Sequence, residues 1–400
     1  MIKKMPRNHD LFFRHIAQTS PNPLAFQVSK AFGVFLYDEQ GKPHYDLISG
    51  IAVSNLGHQH PHITAAIHAQ TNDYLHTMVY GEHIQSIQLR TAAKLVDHLP
   101  EPLTSVYFTN SGAEAVEGAM KLAKRYTGRY EFVACRNAYH GSTQGAMSLM
   151  SDSYFTGAYR PLLPGIRHLI FNDLSSIDCI TPATAGVVLE VVQAEAGIHP
   201  ADATFLRAVR KRCDETGALL IIDEIQTGMG RSGTWFAFEQ YDIQPDILLV
   251  AKAFGGGLPL GAFIASGSVM QVLTHHPMLG HMTTFGGNPL SCAASLAAME
   301  VLEQEQLIEQ VAEKADLLVR GLQHKTIREI RNFGLLIALD LGAQNRVLQL
   351  VELAREEGIL VDWFLFNMES IRLAPPLTIS REEISDVTVR LVRALDRLVP

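Results

Sequence analysis

Between residues 105 and 266 one pattern recurs: a short run of apolar, largely β-branched residues, then a helical window. SVYFTN (105–110), EFVAC (131–135), HLIF (168–171), GVVLEVV (186–192), LLIID (219–223), DILLVA (246–251) and AFIAS (262–266) read as strands. Their apolar residues run on without alternating with polar ones, as in strands covered on both faces. Helical windows, from Ala113 to about Tyr126 and over Ala203–Thr216, separate them. Strands interleaved with helices make βαβ units, so the sheet is expected to be largely parallel and the class α/β. Ligands of such sheets bind beyond the carboxyl ends of the strands. Those ends are the place to search for chemistry.

The flanks read differently. Residues 1–50 hold short extended pieces, a turn at DEQGK (38–42) and little helix. After Asn288-Pro289 a helical pattern runs to about Gln323, followed by a strand (335–340), a helix (about 345–357), a strand at SIRLA (370–374) and a helix from Arg381. The tail is expected to form a smaller α+β lobe. A chain of 400 residues is long enough for two or three domains. The expected division is an N-terminal segment of the small domain (1–50), a large domain (51–290) and a C-terminal small domain (291–400).

Composition narrows the function classes. The chain is 47% hydrophobic and 18% charged, a balance for a large buried core and against disorder. Its net charge of −8 favours neither nucleic acid nor an anionic membrane surface. No run of 18 apolar residues is present to span a bilayer. The start, MIKKMPRNHDLFFRH, is basic but has no continuous apolar stretch of the kind a signal peptide needs. Cys135, Cys179, Cys213 and Cys292 lie far apart and form no CxxC, which points to free thiols in a cytoplasmic protein.

Two motifs suggest chemistry and do not carry it. Gly228-Met-Gly230-Arg-Ser-Gly233 is a literal GxGxxG. A dinucleotide fingerprint needs that turn tight between strand and helix. Here Glu224-Ile-Gln-Thr intervenes and a poor helix opening follows, so a glycine-rich surface turn is expected. Gly57-His58-Gln-His60-Pro-His62 lacks the i, i+4 spacing of a helical metal site and reads as a turn into a helix over 61–76; no metal is expected.

The strand ends are more informative. Asn110-Ser111-Gly112-Ala113-Glu114 joins a strand to a helix, where small residues and a helix N-terminus suit an anion such as phosphate. Asp223 ends one apolar strand, as a cap for the next turn or a partner for a ligand cation. Lys252 follows another, and lysine is rarely buried unless paired or functional. A desolvated lysine has a lowered pKa and can form a Schiff base; the plain alternative is a lysine reaching to the sheet edge. A phosphate cradle, a carboxylate and an amine, all at strand ends, have one economical common meaning, pyridoxal phosphate.

The motifs ISGIAVSNLGHQHP (48–61), FTNSGAEAVEGAMKLAKRYTGR (108–129), NAYHGST (137–143), VVQAEAG (191–197), LLIIDEIQTGMGRSG (219–233), DILLVAKAFGGGLPLGA (246–262) and TTFGGNPLSCAAS (283–295) occur in one order. With them the sequence resembles the class III, ornithine/acetylornithine-type aminotransferases of pyridoxal phosphate fold type I, from about residue 20 to 390. The resemblance implies a mostly parallel central sheet sandwiched by helices, with a smaller domain built from the C-terminus and the N-terminal segment. It implies that Lys252 is the catalytic Schiff-base lysine, that Asp223 pairs with the pyridinium nitrogen, that His140 is among the cofactor-binding residues, and that Ser111, Gly112 and Ala113 hold the phosphate. Tyr139 and Ile225 would flank the ring and Gln226 would lie near its hydroxyl. Thr284 would reach the cofactor of a neighbouring subunit, which implies a homodimer with shared active sites. Arg372 would grip a substrate carboxylate and Glu195 would pair with it when a terminal amine is bound.

The implied reaction moves an amino group from an ω-amino acid or amine to a 2-oxo acid by a ping-pong mechanism. The same fold also hosts decarboxylases and aminomutases, and a non-catalytic cofactor-binding dimer is a further alternative. One departure bears on substrate. Where ornithine-type enzymes carry an arginine after His-Gly, this chain has Ser142, as the ω-amine:pyruvate enzymes do, while it keeps Glu195. The sequence leaves donor and acceptor open.

Overall fold

Seven strands form the central sheet: β1 (Ser105–Thr109), β2 (Glu131–Cys135), β3 (Ile166–Leu169), β4 (Thr184–Leu189), β5 (Leu219–Asp223), β6 (Ile247–Val250) and β7 (Gly261–Ala265). Across the sheet they lie in the order β1-β7-β6-β5-β4-β2-β3. β2 to β6 pair in parallel, and β7 runs antiparallel to both β6 and β1. The chain between β6 and β7 is too short for the crossover a parallel neighbour needs, so it can only reverse direction. The structure, a computed structural model, describes residues 8–398; the basic start read from the sequence, residues 1–7, lies outside the described residues.

The unbroken apolar runs are explained by two cores. Leu220, Ile222, Leu248, Val250 and Ile264 join the core on one face of the sheet. Leu219, Ile221, Ile247, Leu249 and Phe263 join the core on the other, beneath the helix Gly112–Thr127. That helix buries Ala115, Val116, Ala119, Met120, Leu122 and Ala123, a stripe at helical spacing. Ser111 caps its start and Gly128, at φ +70°, ends it.

A second sheet aligns Glu329–Phe333, Leu336–Asp340, Ser370–Leu373 and Asp362–Trp363, in that order. A third runs Lys30–Phe32, Phe35–Tyr37 and Pro43–Asp46, and is completed by Ile359–Leu360 from the other end of the chain. No helix among the described residues is long and apolar enough to cross a membrane.

Several elements differ from the sequence reading. The helix expected from 289 to about 323 is two helices, Pro289–Gln304 and Val311–Gly321. Gln306 takes φ +50°, and the Gln306 and Leu307 amides bond back to the Glu303 and Leu302 carbonyls. This is a Schellman ending made without glycine, and it turns Leu307 into the core. The run 186–192 is not one strand. β4 stops at Leu189, and the Glu190 carboxylate accepts from the Tyr139 and Ala194 amides instead of continuing the ladder. The third strand begins two residues before the expected 168, at Ile166 opposite Phe132. Residues 8–15 form a helix where little helix was expected.

The two decoy motifs have structural uses. His58, His60 and His62 face three separate carboxylates, Asp46, Glu305 and Glu300, and Pro61 opens the helix Pro61–Asp73. Residues 228–233 are not the surface turn expected. Arg231 is fully buried and donates to Asn55 Oδ1 and to the Leu335 and Pro375 carbonyls, fastening the turn to the C-terminal part of the chain. Burial without a carboxylate partner lowers its pKa to about 9.

Candidate active site

A cavity of about 570 Å³ opens at the carboxyl ends of the central strands. Nine of the twelve site residues implied by the resemblance line it: Ser111, Gly112, Ala113, Tyr139, His140, Asp223, Ile225, Gln226 and Lys252. Parallel strands put them there. Ser111 follows β1, Asp223 is the last residue of β5, and Lys252 lies just after β6.

Close backbone approach shapes one end. A Cβ on Gly112 would meet Ile225 Cδ1 at 2.7 Å, and one on Gly141, at φ +127°, would meet Ala113 Cβ at 2.7 Å. Glycine at both positions lets the Ser111–Ala113 turn, the Tyr139–Gly141 loop and Ile225 come together around the N-terminus of the helix Gly112–Thr127. Deeper in, Asp223 Oδ1 accepts from the Ile225 amide at 3.0 Å and Oδ2 lies 2.7 Å from His140 Nδ1. Both groups are buried. The other ring nitrogen, His140 Nε2, is buried without a partner among the described residues. Lys252 sits at φ +50°, an unusual conformation for a side-chain-bearing residue, and makes no hydrogen bond or ion pair among the described residues. Burial pushes its ammonium below the ordinary value, opposed by Glu195 and reinforced by Arg372.

The other end is a charge cluster. Arg372 Nη1 donates to Glu195 Oε1, and Gln226 Nε2 donates to the same oxygen at 3.2 Å. Glu195 Oε2 accepts from the Leu365 amide at 3.1 Å. On its other edge Arg372 holds Asp362 through two bonds, Nε to Oδ1 at 3.0 Å and Nη2 to Oδ2 at 2.7 Å. Burial works against the Arg372 charge, but Glu195 and Asp362 outweigh it and raise its pKa. Burial raises that of Asp362, with Arg372 opposing.

These residues fit pyridoxal phosphate. The glycine-shaped turn at a helix N-terminus suits a phosphate, the braced Asp223 carboxylate suits a protonated ring nitrogen, and the amine of Lys252, unpartnered among the described residues, suits the carbonyl carbon. The comparison with known proteins decides the family: residues 16–395 match the family Aminotransferase class-III. The chain is a class-III aminotransferase. It is 40% identical over 381 residues to a putrescine aminotransferase of Pectobacterium atrosepticum, covering 91% of this chain and 81% of that protein. It is 39% identical over 373 residues to an acetylornithine aminotransferase of Methanosarcina acetivorans, covering 92% of this chain and 91% of that one. A PLP-bound amine transaminase from an uncultivated Pseudomonas species superposes with a TM-score of 0.87 at 26% identity, covering 96% and 98%. The cofactor of this class III aminotransferase is pyridoxal phosphate.

Three of the residues named from the sequence are not in the cavity wall. Glu195 and Arg372 adjoin it through Gln226. Thr284 is exposed; its neighbour Thr283 is the residue that touches the cavity loop, accepting from Asn110 Nδ2 at 3.1 Å. Sequence reasoning gave no role to two residues of this candidate site. Glu190 lines the cavity, fully desolvated, with burial and the Asp223 charge raising its pKa well above the carboxylate range. Its signal was a lone carboxylate inside GVVLEVV. Asp362 is the second partner of Arg372, and its signal is fainter: one acid in ILVDWF, whose pairing with Arg372 exists only once the strands align.

Proposed function

We propose that this aminotransferase takes its amino group from an ω-amino acid or an amine and passes it to a 2-oxo acid by a ping-pong mechanism. The observation that carries the proposal is the Glu195–Arg372 pair next to Gln226. A donor without a carboxylate at its reacting carbon leaves that pair closed. A 2-oxo acid brings a carboxylate there, and Glu195 gives way so that Arg372 can bind it. One pocket thus accepts both partners without stranding a buried charge. The putrescine and acetylornithine aminotransferases similar to this chain have names that fit such donors.

Within the proposal each residue has a physical task. Ser111, Gly112 and Ala113 hold the phosphate at the helix N-terminus. Tyr139 and Ile225 confine the ring between them, and Gln226 lies toward its hydroxyl. Asp223, oriented by His140, keeps the ring nitrogen protonated. When bound, pyridoxal phosphate supplies the electron sink for the reacting carbon. Lys252 holds the cofactor between turnovers, and its amine, whose proton burial makes easier to release, moves the proton at the donor's carbon.

We also propose a homodimer in which Thr284 completes the partner's site. Support comes from its exposure beside exposed Met282 and Phe285, apolar side chains that favour a covered surface. Residues 1–50 and 291–400 forming one small domain around 51–290 is supported by the sheet that joins Pro43–Asp46 to Ile359–Leu360. Free cysteines, three of them buried, fit a cytoplasmic protein.

Replacement of Glu195 tests the donor proposal. Glu195→Ala leaves Arg372 open, so α-amino donors should gain at least about tenfold in kcat/KM relative to terminal amines. Single-turnover bleaching of the cofactor absorbance with a panel of donors reads this ratio. An unchanged ratio sinks the pairing.

A further inference from the structure

The five N–H groups of Arg372 are nearly all accounted for before any substrate arrives. Nε and one Nη2 hydrogen are held by the two oxygens of Asp362, at 3.0 and 2.7 Å. The Trp363 carbonyl accepts from Nη2 at 3.2 Å. Nη1 serves Glu195. The Phe364 ring lies under the guanidinium, its centroid 5.2 Å from Cζ. Only the Nη1 end faces an exchangeable partner, since Asp362 and Trp363 belong to the strand paired with Ser370–Leu373 and Glu195 lies on a loop.

A guanidinium grips a carboxylate best through two nitrogens, side-on by Nε and Nη2 or end-on by both Nη atoms. Here the side-on fork is filled and the end-on fork is half filled. The charge is compensated as well: two carboxylates, Glu195 and Asp362, already face one cation. Among the described residues the charged groups lining the cavity are Glu190, Asp223 and Lys252, so no arginine stands in the wall and Arg372 beside it has no substitute there.

We propose that Asp362 is a specificity-determining residue: as a fixed counter-ion it occupies the two-nitrogen edge of Arg372 and weakens the enzyme's hold on any carboxylate at the reacting carbon, favouring terminal amines as donors. The proposal rests on Arg372 being the carboxylate grip. It differs from a bracing role for Asp362, because the two predict opposite signs. A brace, once removed, lets Arg372 wander and loosens carboxylate binding. A competing counter-ion, once removed, tightens it.

The test uses the holoenzyme carrying Asp362→Asn, with Asp362→Ser as a second variant that keeps an acceptor without the charge. Measured quantities are the inhibition constant of propanoate, an inert carboxylate, the KM of pyruvate, and kcat and KM for alanine and a terminal amine. Both variants should lower the propanoate constant and the two carboxylate KM values about tenfold. The ratio of kcat/KM for alanine over that for the terminal amine should rise about tenfold, and Asp362→Glu, which keeps the charge, should leave the propanoate constant closer to the parent's than either neutral variant does. A rise or no change in the propanoate constant overturns the proposal. Arg372→Gln separates the two levels. If it weakens propanoate while the Asp362 variants do nothing, the Asp362 role alone falls. If it leaves propanoate binding unchanged, Arg372 is not the grip and both readings fall.

Discussion

The two ends of the cavity are built by different means. The end proposed to hold the cofactor is made of residues that each terminate or follow a strand of the mostly parallel central sheet, so their positions come from the register of β1, β5 and β6. The substrate end has no common element. Arg372 comes from the second sheet, Asp362 from the strand beside it, and Glu195 from a loop 177 residues before Arg372. Among the described residues the first end presents single groups without partners, Lys252 Nζ and His140 Nε2, while the second presents charges already paired to one another. A site that must hold one cofactor permanently can leave partners open for it. A site that must admit two unlike substrates keeps its charges closed until one arrives.

The comparison breaks most visibly at Lys252. If the cofactor end works through single groups, Lys252→Ala removes both the attachment and the proton carrier, and kcat should fall about 10,000-fold or more. The purified variant should also lose the cofactor that borohydride fixes to the parent chain. Cofactor fixed to another lysine in the parent would show that the strand-end reading of Lys252 is wrong.

Asp223→Asn comes next. The isosteric amide keeps the bond from the Ile225 amide but gives up the charge facing His140 and, in the proposed reading, the cofactor's ring nitrogen. The expected loss is about 100- to 1,000-fold in kcat, with the thermal transition little changed. Near-normal turnover would reduce Asp223 to a turn cap and leave the cofactor end with one working group.

The contrast also sets what the sequence makes legible. Strand ends are marked by the local pattern itself: Asp223 closes LLIID, Lys252 closes DILLVA, and both land in the cavity. The parallel sheet follows from the same runs, because residues buried on both faces cannot alternate. Asp362 carries no such mark. It matters through its cross-strand partner Arg372, a register the chain acquires only on folding. The break at Gln306 was hidden for a related reason: a left-handed residue usually announces itself as glycine or asparagine, and here a buried Leu307 holds a glutamine in that conformation. The buried turn around Arg231 was misjudged because glycine-rich composition suggests a surface, while its hydrogen bonds go to residues far along the chain.

The smallest expected effect sharpens the substrate end. Ser142 lines the cavity, with its hydroxyl 3.1 Å from that of Tyr139, and is exposed on its outer side. Among the described residues no arginine lines this cavity, and Arg372 is held by Glu195 and Asp362. The second carboxylate of 2-oxoglutarate therefore finds no arginine in the described wall, whereas pyruvate has no second carboxylate to satisfy. Ser142→Arg supplies one, but at a partly solvated position where an ion pair contributes at most about 1 kcal/mol. That corresponds to a gain of about fivefold in kcat/KM for 2-oxoglutarate relative to pyruvate. Parallel assays of the two acceptors on parent and variant measure it. A strong 2-oxoglutarate preference in the parent would break the comparison from the other side, because a cation from outside this wall, such as a partner subunit's, would then be doing for the distal carboxylate what Ser142 cannot.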